Sequence, residues 1–258
     1  MLKGLYTAYT GMLNEQNRMD IMTNNLANAS TVGFKKEASP SQSFNSILAY
    51  KLKDSSVGLG RSENIGANTP GVKIGENYTD YTQGSFRVTG NTFDLALTDS
   101  GFFAVEFTNK AGETSTKYTR AGNFTLNKDG YLVTGDGDYV LDTANRRIKL
   151  DPLKESAVLT DGTITQDGTH VAKIQIADFE NYDYLTRYGE TYFEPVEGAK
   201  SVASRAEIQS GYLEMANVQV VSEMVNIISI TRQYESNQKI LQTYDSSLEI
   251  AVKELGKV

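Results

Sequence analysis

The sequence predicts a mainly β fold, with an antiparallel β domain flanked by N- and C-terminal α-helices that pair as a coiled coil. Three observations predict it. Apolar residues recur at steps of three and four near both ends of the chain, which marks a helix with one buried stripe. Residues 80–180 alternate with period two, as half-buried strands do. No helical stretch separates those strands, so turns join neighbours and the sheet is mostly antiparallel. The chain divides accordingly into an N-terminal helix over 1–35, a connector over 36–78, a β-rich domain over 79–210 and a C-terminal helix over 211–258.

In the first helix Leu5, Met12, Met19 and Leu26 fall seven apart and are all apolar. A seven-residue repeat keeps one narrow seam facing a partner helix. A second seam, Leu2, Tyr9, Gln16 and Thr23, turns polar as it proceeds. Gly33 then ends or redirects the chain. The C-terminal segment repeats the device at greater length. Its apolar seam is Val220, Ile227, Tyr234, Leu241, Leu248 and Leu255, beside a mixed one through Met224, Thr231, Gln238, Asp245 and Val252. It would span about 50 Å at 1.5 Å per residue, with Asn217 as the expected cap. Asn14, Asn17, Asn24, Asn25 and Asn28 on the first helix, and Asn226, Ser229, Ser236, Asn237 and Gln242 on the second, make uncharged polar faces. Such faces suit packing against further copies, because charge is depleted where surfaces are buried.

The connector is rich in Ser, Gly and Asn, and the short apolar run Phe44, Ile47, Leu48 and Leu52 predicts one short helix in it. In the β domain Phe93, Leu95 and Leu97 interleave with Asp94, Ala96 and Thr98, and Phe103, Val105 and Phe107 with Ala104 and Glu106. Asn127-Lys128-Asp129-Gly130 joins two short apolar pairs and reads as a hairpin turn. Asp161-Gly162 and Asp167-Gly168 punctuate further strands, while residues 181–212 look irregular.

Composition excludes several functions. Of 258 residues, 25 are basic and 32 acidic, a net charge of −7. A duplex nucleic-acid binder needs clustered Lys and Arg to neutralise phosphates. The pairs Lys35-Lys36 and Arg146-Arg147 are isolated and read as solvated surface. With no Cys and a single His, His170, disulfides, thiol nucleophiles and His–His metal motifs are absent. Asp136-Gly137-Asp138 lacks the further oxygen ligands of a calcium loop and reads as a turn. No phosphate-binding or dinucleotide glycine motif occurs. Asp94, Asp99 and Glu106 read as strand or turn residues rather than catalytic carboxylates. No enzyme activity, cofactor, nucleic acid or small-molecule substrate is expected. No run approaches the roughly 18 apolar residues of a membrane helix, and residues 1–10 lack a cleavable apolar leader.

Residues 24–35 read Asn-Asn-Leu-Ala-Asn-Ala-Ser-Thr-Val-Gly-Phe-Lys. This segment resembles the N-terminal signature of the flagellar basal-body rod and hook family, carried here by Asn25, Leu26, Ala27, Asn28, Thr31, Gly33, Phe34 and Lys35. Asn and Thr can satisfy open groups at a helix end, Gly33 allows a reversal, and Phe34 can dock back on the helix pair. Residues 81–107, the block Tyr118-Thr119-Arg120-Ala121-Gly122-Asn123-Phe124, the block Asp129–Val133 and the stretch Gly211–Val218 resemble further family blocks in family order. The resemblance is closest to rod subunits of the distal (G) or proximal (F) type.

That resemblance implies a structural subunit of the rod, outside the cytoplasmic membrane. It implies self-assembly into a helical axial tube with other rod and hook proteins, and export by the flagellar type III apparatus. The terminal helices would form an inner coiled-coil layer and the β domain would lie outside it. In the free monomer these helices are expected to be largely disordered, because a two-helix arm buries little apolar surface alone. Two other readings carry different marks. A surface-binding β module on a coiled-coil stalk predicts a discrete oligomer, and a carbohydrate-active enzyme predicts a cleft with two suitably separated carboxylates.

Overall fold

A computed structural model describes residues 2–51, 63–109 and 112–256. They form two helices, α1 (Leu2–Ala27) and α2 (Val220–Leu255), with short strands between them. The chain divides into two compact units, one of residues 1–26, 37–79 and 220–258 and the other of residues 27–36 and 80–219.

The second unit is built on a nine-stranded sheet in which every pairing is antiparallel. Its central strand, Phe102–Thr108, pairs with Thr114–Thr119 on one side and with Tyr139–Val140 and Ile176–Phe179 on the other. The expected hairpin is present as Thr125–Leu126 paired with Leu132–Val133. Gly130 closes its turn at φ +81°, a left-handed conformation that costs glycine little. Ser156–Val158, Thr163–Gln166 and Thr169–Lys173 form a separate three-stranded sheet around the two Asp-Gly turns.

Alternation holds for the large residues and fails for the small ones. Phe103 and Val105 enter one apolar cluster, with Leu95, Leu97, Phe124 and Ile164. Phe102 enters a second, with Phe179, Leu185 and Phe193. Ala96 and Ala104, which alternate with the large residues, are fully buried as well. A methyl group lets a second layer close down, so these strands are covered on both faces. The second cluster is aromatic: the Phe102 ring lies 5.3 Å from Phe193 and 5.9 Å from Tyr182. Such ring pairs add about 0.5–1.5 kcal/mol each beyond area burial. Residues 181–212 are not irregular. Leu185–Tyr188 and Tyr192–Pro195 form a hairpin around Gly189, and three further strands follow. Their polar and charged residues interrupt the apolar pattern, and the pairing partners supply what the pattern lacks.

The helical unit holds α1, α2 and a two-stranded ribbon. The ribbon replaces the expected short helix of the connector. Glu37 pairs with Thr79, Ser41 with Ile74, Ile47 with Asn68 and Lys51 with Glu63. Ile47 and Leu48 are in a strand, while Leu52 lies outside the described residues. Spacing in a short apolar run suits a helix or a strand equally, and here cross-strand pairing decides. Side chains of α1 hold the ribbon. Asn14 Nδ2 donates to Ser41 Oγ (2.9 Å), Thr7 Oγ1 donates to the Pro70 carbonyl (3.3 Å), and Asn25 Nδ2 donates to the Glu37 carbonyl (2.8 Å). Part of the polar face expected to meet other copies is therefore used within the chain.

Candidate structural site at the signature segment

Past Ala27 the chain turns. The Thr31 amide donates to the Asn28 carbonyl (3.1 Å) and Thr31 Oγ1 donates to Asn28 Oδ1 (3.1 Å). Gly33 follows at φ +69°, and its amide donates to the Glu214 carbonyl (2.8 Å). A Cβ there would overlap the backbone of Arg120 and Ala121. Glycine is thus required twice, by conformation and by space. Phe34, expected to dock back on the helices, is fully buried in the β unit, with the Arg187 guanidinium 4.4 Å from its ring centre.

Lys35 was expected at the surface and is 1% exposed. Its ammonium donates to Glu214 Oε1 (2.7 Å) and to the Thr82 carbonyl (2.8 Å). Glu214 Oε1 also accepts from the Gly84 amide (3.0 Å), and Oε2 accepts from Arg120 (3.2 Å). One carboxylate therefore serves two buried cations. A dibasic pair on an acidic chain signals surface only until a buried acid is placed opposite, and Glu214 is 179 residues away. Burial pushes the Lys35 ammonium below its ordinary range, and the Glu214 carboxylate opposes that shift. Lys36 keeps the surface role: its ammonium lies 3.4 Å from Asp80. Burial alone would raise the Asp80 carboxyl, but hydrogen bonds from Thr82 and Lys36 outweigh it and hold the group low.

Asn217 does not cap α2, which starts three residues later. Its Oδ1 accepts from the Lys36 amide (2.8 Å) and its Nδ2 donates to the Asp80 carbonyl (2.8 Å). Four separate segments, around residues 33–36, 80–84, 120 and 214–217, are thereby tied into one clasp. The function of Glu214 was not read from the sequence. The only available hint was a lone acid inside a short apolar stretch before a helix.

The remaining signature residues lie on α1 and just past it. Asn25 is buried and also accepts from the Glu37 amide (3.0 Å). Leu26 is half-buried and Ala27 exposed. Of the seam residues, Leu5, Met12, Met19, Ile227, Tyr234 and Leu241 are half-buried, and Val220 and Leu248 are exposed. The side chain of Leu255 lies outside the described residues. The companion stripe on α2 is Glu223, Ile230, Asn237 and Tyr244, and Met224, Gln238 and Asp245 are exposed. The cause is visible in α1. Gly4 sits against the Tyr244 ring and Gly11 against the Asn237 side chain, with no room for a Cβ at either. These notches were not singled out in the sequence.

Asp136-Gly137-Asp138 forms a turn, with the Gly137 amide donating to the Thr134 carbonyl (3.0 Å). Arg147 grips Glu106 through two bonds (2.9 and 2.7 Å), and Arg146 pairs with Asp142 (2.9 Å). Asp94, Asp99 and Glu106 are not brought together as a catalytic group, and His170 is exposed on the strand Thr169–Lys173. Among the described residues no cluster of three or more acidic or histidine side chains could hold a metal, and no helix is long and apolar enough to cross a membrane.

The charged groups of this site are bound by segments of the chain itself. Three family descriptions match in order. "Flagella basal body rod protein" covers residues 5–35, "Flagellar hook protein FlgE/F/G D1 domain" residues 96–172, and "Flagellar basal body rod FlgEFG protein C-terminal" residues 209–254. The chain is 34% identical to the basal-body rod protein FlgG of Bacillus subtilis, over 96% of this chain and 97% of the relative. It is 33% identical to the rod protein FlgF of Caulobacter vibrioides over the whole of both chains. The hook-basal body complex protein FlhO of B. subtilis is 31% identical, again over both whole chains. The chain belongs to the flagellar basal-body rod protein family, of F or G type. It is a structural subunit of the rod, in the basal body that spans the cell envelope.

Proposed function

We propose that the chain is exported by the flagellar type III apparatus and polymerises head to tail into a helical tube that transmits torque. Contacts between different surfaces of identical copies build open helical assemblies when the rotation does not close. The observation that carries this reading is the apolar surface left open on both helices. Tyr6 is 61% exposed, Val221 76% and Val225 60%. Within each subunit α1 and α2 would pair as an antiparallel coiled coil. Gly4 faces Tyr244 and Gly11 faces Asn237, a step of seven residues in opposite directions, which supports that pairing. The ribbon formed by residues 37–51 and 63–79 would be a stiffening element at subunit contacts, since a lone two-stranded ribbon is marginal in water. No substrate or cofactor takes part.

Electron microscopy of basal bodies from a strain lacking this chain tests the proposal. Missing or truncated rods without a hook are expected, and the truncation point separates a proximal from a distal position. Normal rods would overturn it. A fixed, discrete oligomer in light scattering, with no growth at higher concentration, would favour a stalked β module instead.

A further inference from the structure

The β unit contains a cleft of about 460 Å³ that the clasp does not use. Its walls include the rings of Phe107, Tyr188 and Tyr192, together with Asn123, Asp136 and Glu190. Its size is that of a pocket for a small group. Asp136 and Glu190 are its only charged lining residues, and neither has an ion-pair partner among the described residues. The nearby cations are spent. Lys117 pairs with Glu194 (2.7 Å), and Arg187 donates to the main-chain carbonyls of Lys35, Gly189 and Glu190.

The buried Tyr192 hydroxyl lies 2.8 Å from Asp138 Oδ2, 3.1 Å from Asp136 Oδ2 and 3.2 Å from Thr134 Oγ1. Thr134 can donate to it, but its own single proton serves one carboxylate only. When that proton goes to Asp138, the exposed Asp136 carboxylate at the cleft wall has solvent as its donor, which a basic side chain can replace. The rings already tolerate a cation, because the Lys117 ammonium lies 3.6 Å from the centre of Tyr188. Aromatic rings beside unpaired carboxylates suit a guanidinium or ammonium group.

We propose that this cleft is a socket for a basic side chain of a second copy of the chain. The same unit carries that complement. Arg87, Lys128 and Arg205 are exposed and have no ion pair among the described residues. A socket on one surface and a basic side chain on another make a heterologous contact. The inference rests on the polymerising reading above and names one of its contacts.

Two experiments test it separately from that reading. In the first, the full-length monomer labelled with ¹⁵N is titrated with argininamide. Amide shifts are expected at Asn123, Gly135 and Gly189, and they should vanish in the Asp136→Asn/Glu190→Gln variant. No shifts at these residues would overturn the socket, whatever the rod does. In the second, basal bodies are imaged from cells carrying Asp136→Lys/Glu190→Lys. Completed rods should fall about tenfold or more, with the monomer's urea midpoint unchanged. Adding Arg87→Glu, Lys128→Glu or Arg205→Glu should restore them in one case. Normal rods with the reversed charges would overturn the socket and leave the rod reading intact. Defective rods that none of the three rescues would overturn these three side chains as occupants of the socket.

Discussion

The β unit and the helical unit satisfy their apolar surface in different ways. In the β unit Phe103, Phe124, Leu132, Ile164 and Phe193 reach 0% exposure, in two clusters sharing one central strand. Among the described residues of the helical unit Ala8 and Ile230 are the apolar ones that bury comparably, while Ile228, Ile250 and Val252 stay more than half exposed. A residue in a closed core contributes about 1.5–3 kcal/mol relative to leaving it in water. The helices forgo that gain within one copy. One unit thus buries its apolar side chains within itself, and the other leaves many of them open to solvent.

The contrast is easiest to break by amide exchange on the free monomer. The amides of Phe102–Thr108 should exchange only on global unfolding, and those of 5–26 and 220–255 orders of magnitude faster. Strong protection along both helices would show that the helical unit closes by itself. Next in size is Glu214→Gln, which strands two buried cations. It should cost about 3–5 kcal/mol, read as a lower urea midpoint for the β unit. A loss under about 1 kcal/mol would mean that water enters the clasp.

Gly33→Ala should cost about 2 kcal/mol or more, from backbone strain and from overlap with Arg120 and Ala121. Val225→Ser should change monomer stability by less than about 0.5 kcal/mol yet impair rod assembly. The reverse pattern would make the helix surface a core rather than an interface.

The smallest effect is on the acid limb. Bonds from Arg147 hold the Glu106 carboxyl below its usual range near 4.5. A depressed carboxyl stabilises the fold above its unfolded pKa, and that contribution is lost as pH falls through the folded one. Arg147→Ala should therefore make stability less pH-dependent below about pH 4.5, by urea titration at several pH values. An unchanged profile would show that the pair is too solvated to matter.

What was legible in the sequence follows the same division. Leu95, Phe103 and Phe124 were readable because alternation reports burial directly. The existence of both helices was readable from their 3-4 spacing. The connector was misread because Phe44, Ile47 and Leu48 carry no information about the residues 63–74 that pair with their strand. The partner stripe of α2 was misread because α1 chooses it through two glycines. Lys35 was misread for a related reason: its buried state depends on Glu214 and Arg120, neither of them a neighbour in sequence. Local pattern reports local preference, and each of these outcomes was decided at long range.

The clasp also has a consequence in time. Lys35 and Gly33 close on Glu214 across 179 residues or more, so a chain that emerges from its N-terminus cannot complete this contact early. An early segment must wait for almost the last to complete its bonds. Contacts of such long separation come late and all together, because loop closure is costly before they form. The clasp therefore cannot close until residue 214 has been made, although the pairing of Phe102–Thr108 with Thr114–Thr119 needs far less of the chain.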